Sequence, residues 1–115
     1  MGNLKTPELN VSVTFRHTDP TEALKKYSTD KVIQRVSKYF HSSGDIRIVL
    51  SVEKMDHLVE VHLVGKGIDL VAKATTEDLY SSIDKVVDIL EGQLRKQKDK
   101  VVKSHRSHIP EPLGA

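Results

Sequence analysis

A two-layer α+β sandwich is what the 115-residue sequence predicts: a four-stranded mixed sheet with two helices on one face, in the order β-α-β-β-β-α. Three observations predict it. Four stretches alternate apolar and polar residues with the period of two that marks a half-buried strand. Two longer stretches repeat apolar residues in steps of three and four, the mark of a helix with one buried face. Short turn signals separate the last three strands, whereas a whole helix separates the first two, which predicts a parallel first pair followed by an antiparallel meander.

Residues 1–8 read as a flexible arm. In residues 9–16, Leu9, Val11, Val13 and Phe15 alternate with Asn10, Ser12, Thr14 and Arg16, giving the first strand. Asp19 as N-cap, Pro20 at the first helical position and Glu22 three after the cap predict a helix start. That helix runs to about Phe40, with Leu24, Tyr27, Val32, Val36, Tyr39 and Phe40 near one face. Its wet face is basic, and Lys31, Arg35 and Lys38 are spaced four and three apart, so they share a side.

Residues 45–54 form the second strand, with Ile46, Ile48, Leu50 and Val52 inward. After a tight Met55-Asp56 connection, residues 57–64 form the third, with Val59, Val61 and Leu63 inward. Gly65-Lys66-Gly67 is a glycine turn. Residues 68–75 form the fourth strand, with Leu70, Ala72 and Ala74 inward. A long helix over about residues 74–103 closes the fold, with Thr75 and Asp78 as its start signal and a stripe of Leu79, Ile83, Val86, Val87, Leu90 and Leu94. The domain is expected over residues 9–103, with a flexible tail from 104 to 115.

Charge is local. Residues 95–106 hold six Lys or Arg against one Asp, a net +5, while the whole chain is only +2, so the rest carries −3. One or two cations at a helix end suit the macrodipole. Six in twelve, spread round the helix, point to a polyanion. The candidate contacts are Arg95, Lys96, Lys98, Lys100 and Lys103 on this helix, with Lys25, Lys31, Arg35 and Lys38 on the first.

Other classes find less support. The chain has no Cys, which excludes disulfides and thiolate metal sites. Its six His include no closely spaced pair on an ordered element, so no metal or cofactor is expected. No apolar run is long enough to span a membrane. Ser81 and Ser82 lack a His partner, and no nucleophile–base–orienter set stands out, so no enzyme is expected. Most of the aromatics fall on core faces and none form a paired platform on an open strand face, so a nucleic acid is expected to be read by shape and phosphate. A protein of the cytoplasm is expected.

Several runs carry a likeness. Glu77-Asp78-Leu79-Tyr80, Ile83-Asp84 and Gln93-Leu94-Arg95-Lys96-Gln97-Lys98-Asp99-Lys100 stand in the second half, with Thr21-Glu22-Ala23-Leu24-Lys25 and Val49-Leu50-Ser51-Val52-Glu53-Lys54 upstream. Over residues 9–105 the chain resembles the bacterial ribosome-hibernation family, whose short promoting factors and inhibitor forms are often labelled sigma-54 modulation proteins. The resemblance implies a fold like that of double-stranded-RNA-binding domains. It also implies binding to 16S ribosomal RNA of the 30S subunit of the 70S ribosome, in the tRNA and mRNA channel across the A and P sites. Translation then stops by occlusion, neither DNA nor a membrane is a partner, and the chain is expected to be monomeric when off the ribosome. Lys25, Lys31, Lys96, Lys98 and Lys100 carry over as RNA contacts, while Arg95 joins them on charge. The tail after Lys103 is neither a long acidic tail nor a further domain, so the chain is nearest the short form. Two other readings stand beside this one. In the first, the open sheet face binds a protein such as a transcription factor; in the second, the domain binds free RNA duplexes.

Overall fold

Alternation becomes strand here because one face of every strand meets a helix while the other meets water. The structure, a computed structural model, describes residues 8–107, with side chains described as far as Gln97. The elements are β1 (Leu9–Arg16), α1 (Glu22–Tyr39), β2 (Gly44–Glu53), β3 (Asp56–Gly65), β4 (Ile68–Thr76) and α2 (Leu79–Ser107). The sheet order is β1-β2-β3-β4. The β1–β2 pair is parallel, joined through α1, and the two pairs that follow are antiparallel, joined by two-residue turns, as the connections predict.

One cluster contains the inward residues of the sheet (Ile46, Ile48, Leu50, Val59, Val61, Leu63, Ala72, Ala74) and the buried stripes of both helices. Both helices therefore cover the same face. On α1 the fully buried apolar residues are Val32 and Val36, and on α2 they run from Leu79 to Leu94. The other sheet face, carrying Arg47, Glu60, His62 and Lys73, is left to solvent.

The helix starts differ from the sequence reading. Thr21, not Asp19, caps α1: it is extended (φ −131°, ψ 144°) and its hydroxyl accepts the Leu24 N–H at 3.1 Å. Pro20 thus precedes the cap, where its ring keeps Asp19 out of helical geometry. At α2, Asp78 is itself the cap, accepting the Ser81 N–H at 2.9 Å and its hydroxyl at 2.8 Å. Thr75 stays in β4, and the helix begins at Leu79 rather than near residue 74. The two amide and hydroxyl bonds hold the Asp78 carboxyl below the usual carboxylate range. At its other end α2 continues through Ser107, past the expected start of the tail, and residues 108–115 lie outside the described residues.

Two close approaches tune the sheet. Gly44 and Gly65 are cross-strand partners, and a side chain on Gly65 would meet the ring of Phe40 just after α1. The β4 edge is guarded from α2, where the Gln93 amide donates to the Val71 carbonyl at 2.9 Å.

Candidate nucleic-acid interface

The helices run parallel, because pairs between them climb together along both chains. The Tyr27 hydroxyl donates to Asp84 at 2.6 Å. About two turns further along α1, Arg35 donates to Asp88 and Glu91 at 2.7 Å each, and the Tyr39 hydroxyl donates to the other Glu91 oxygen. Tyr27, Arg35 and Tyr39, on one side of α1, thereby meet Tyr80, Asp84, Asp88 and Glu91 on α2. The Tyr27 and Tyr80 rings pack edge to face with centroids 4.9 Å apart, and the Lys31 ammonium sits 5.4 Å from the Tyr27 ring centre.

This polar seam sorts the cations. Arg35 is only 27% exposed and is committed to two carboxylates, so much of its charge is spent inside the domain. Lys31 lies half-buried against the aromatic pair. Lys25 is exposed near the start of α1, beside Val13 and Phe15 of β1. Lys38 near the end of α1 and Arg95 and Lys96 just after Leu94 on α2 are exposed. The Tyr39 hydroxyl, then Arg35, Lys38 and Arg95, hold the Glu91 carboxyl below the usual range. In return Glu91 raises the Tyr39 phenol, and Asp84 raises that of Tyr27. The basic surface expected from the two helices is thus crossed by an acidic row, Asp84, Asp88 and Glu91.

Beyond Leu94, the last core residue among the described side chains, α2 continues to Ser107, about 20 Å at roughly 1.5 Å per residue. Lys98, Lys100 and Lys103 fall on this extension, and their side chains lie outside the described residues. Sequence reasoning missed the partners of Tyr27, Arg35 and Tyr39. No spacing within either helix pairs these residues, because the seam depends on how the two helices are rotated against each other.

Elsewhere the surface offers shallow open depressions, one on the sheet face near Asn10, Asp45, Arg47 and His62 and one around the β2–β3 turn. Among the described residues no group of three or more His, Cys, Asp or Glu could hold a metal ion, and no helix is long and apolar enough to cross a membrane.

Comparison with known proteins adds a second line. The family model described as sigma 54 modulation protein / S30EA ribosomal protein matches residues 11–102. A ribosome hibernation promoting factor of Azotobacter vinelandii is 31% identical over 102 residues, covering 89% of this chain and 94% of that one. Its namesake in Escherichia coli K12 is 34% identical over 93 residues, covering 81% and 97%. Among solved structures, a ribosomal subunit interface protein from Coxiella burnetii superposes with a TM-score of 0.69 at 22% identity, over 78% of this chain and 98% of that one. The N-terminal domain of Thermus thermophilus Protein Y gives 0.68 at 25% identity, over 76% and 98%.

Proposed function

The chain belongs to the sigma 54 modulation protein / S30EA ribosomal protein family, and from that premise we propose that it is a ribosome-hibernation factor acting in the cytoplasm. It binds the 30S subunit against 16S ribosomal RNA, in the tRNA and mRNA channel across the A and P sites. It inhibits translation by filling that channel and needs no chemistry of its own. The observation that carries this reading is the placement of charge: a net +5 sits on residues 95–106 of α2, after Leu94, with Arg95 and Lys96 exposed at the root of that stretch. A helix so placed reaches into a groove of phosphates while the sheet stays outside.

The contacts are Lys25 and Lys38 on α1 and Arg95, Lys96, Lys98, Lys100 and Lys103 on α2. Lys31 contributes from beside its aromatic pair, and Arg35 acts mainly by holding the helices together. Lys96→Glu with Lys100→Glu leaves the core stripe intact, so the variant stays folded. It is expected to stay at the top of a sucrose gradient under low-salt conditions in which the unaltered protein travels with ribosomes. Normal co-sedimentation of the double variant overturns the assignment.

A second reading has one observation in its favour. The open sheet face exposes Val64 and Val71, 40% and 41% accessible, beside the His62–Asp69 pair, a surface that suits a protein partner. Association that survives both ribonuclease and high salt favours that reading.

A further inference from the structure

The two edges of the sheet are treated differently. At β4, Gln93 covers an edge carbonyl. At β1 the Gly44 N–H bonds to the Glu8 carbonyl, which fixes the phase of the ladder. Even-numbered residues of β1 turn their backbone groups toward β2. The N–H and C=O groups of Leu9, Val11, Val13 and Phe15 turn outward, and among the described residues no hydrogen bond reaches them. The strand has eight residues and contains no Pro and no Lys, the devices that normally blunt an open edge. An open depression lined by Val13, Phe15, Pro20, Thr21, Glu22 and Lys25 leaves room on its helix side.

We propose that β1 pairs antiparallel with β1 of a second copy of this chain, about a twofold axis through Ser12. In that register, Leu9 faces Phe15 and Val11 faces Val13 of the other copy. These are the residues whose backbone groups point outward, so every one of the outward N–H and C=O groups finds a partner. The pairs between them are matched as well: Asn10 faces Thr14, Ser12 faces itself, and Glu8 faces Arg16. The last pair brings opposite charges together at both ends of the seam, on the open sheet face. A shift of two residues either way breaks the Glu8–Arg16 match and leaves outward groups unpaired. The result is a continuous sheet of eight strands, four from each copy, with both helix layers on one side. A second copy fits this edge because the strand is complementary to itself in one register, in charge and in hydrogen-bonding phase alike.

The native chain has no Cys, so single substitutions report the register directly. Ser12 would face its own copy at a non-hydrogen-bonded site, where Cβ atoms lie about 4.5–5.5 Å apart, close to disulfide reach. Under mild oxidation Ser12→Cys is expected to yield a covalent dimer. Asn10→Cys and Thr14→Cys are expected to do so only when mixed with each other. In sedimentation equilibrium of the full chain, the mass is expected to rise from one chain toward two with concentration. Arg16→Glu, which sets Glu against Glu8, is expected to lose the dimer, and Glu8→Arg with Arg16→Glu to restore it. A single-chain mass at every concentration overturns the proposal, as does a dimer indifferent to Arg16→Glu. Thr14→Cys linking to itself more readily than Ser12→Cys overturns the register. These readouts involve no ribosome, so they stand or fall apart from the hibernation reading.

Discussion

Arg35 shows how one side chain can read as a ligand contact and act as a clamp. In the sequence it shares a spacing with Lys31 and Lys38 and nothing separates the three. In the fold, Lys38 faces solvent while Arg35 meets Asp88 and Glu91. The difference depends on how the two helices are rotated about their axes, which no local pattern encodes. Arg35→Ala should lower stability by about 1–2 kcal/mol, since it strips partners from two carboxylates. Lys26→Ala, which loses only the exposed pair with Asp30, should cost no more than about 0.5 kcal/mol. Denaturant midpoints measure both. Glu91 adds a pH signature. Its carboxyl is held below the ordinary range by Tyr39, Arg35, Lys38 and Arg95. Its contribution is therefore complete above that range and is lost as pH falls through the lower folded value. Glu91→Gln should flatten the fall of the melting temperature in acid, most clearly below about pH 4.

At the scale of elements, the strands were legible because a period of two admits one reading when half the residues are Ile, Leu or Val. Their ends were legible to within one residue, and those of β1 to the residue. The start of α1 was read two residues early, at Asp19, because Asp19 and Thr21 both offer a capping oxygen. The Pro between them makes Thr21 the working cap. The core stripe of α2 was legible residue by residue. Leu90 is fully buried in it, so Leu90→Ala should cost roughly 2–5 kcal/mol by opening a cavity. The seat of Phe40 on Gly65 was not legible, because it joins a helix end to a strand two elements away. Gly65→Ala should be destabilising by about 1–3 kcal/mol through overpacking, although its backbone is ordinary. Gly67, with φ at +69° and open space around it, should instead lose about 1–2 kcal/mol on substitution by Ala through backbone strain alone.

For the whole molecule, the imbalance between a basic helix end and a slightly acidic remainder orients it toward phosphate. If about six cations meet phosphates, ribosome affinity should fall by roughly a thousandfold between about 50 and 200 mM salt. Gradient sedimentation across a salt series measures this. The family and its topology were legible in short motifs and connection lengths. The interhelical seam and the contrast between the sheet edges were not, since both arise only once distant segments meet. Topology also sets an order in time. The β2–β3–β4 meander closes through two-residue turns, whereas β1 meets β2 across 35 residues and a whole helix. Loop-closure entropy makes such a pairing late. Conservative truncations at Val59 and Val61 should therefore slow refolding, while those at Val11 and Val13 should mainly speed unfolding. Until β1 arrives, β2 is itself an open edge, and the brief exposure of that edge is the moment at which a crowded chain is most prone to exchange strands.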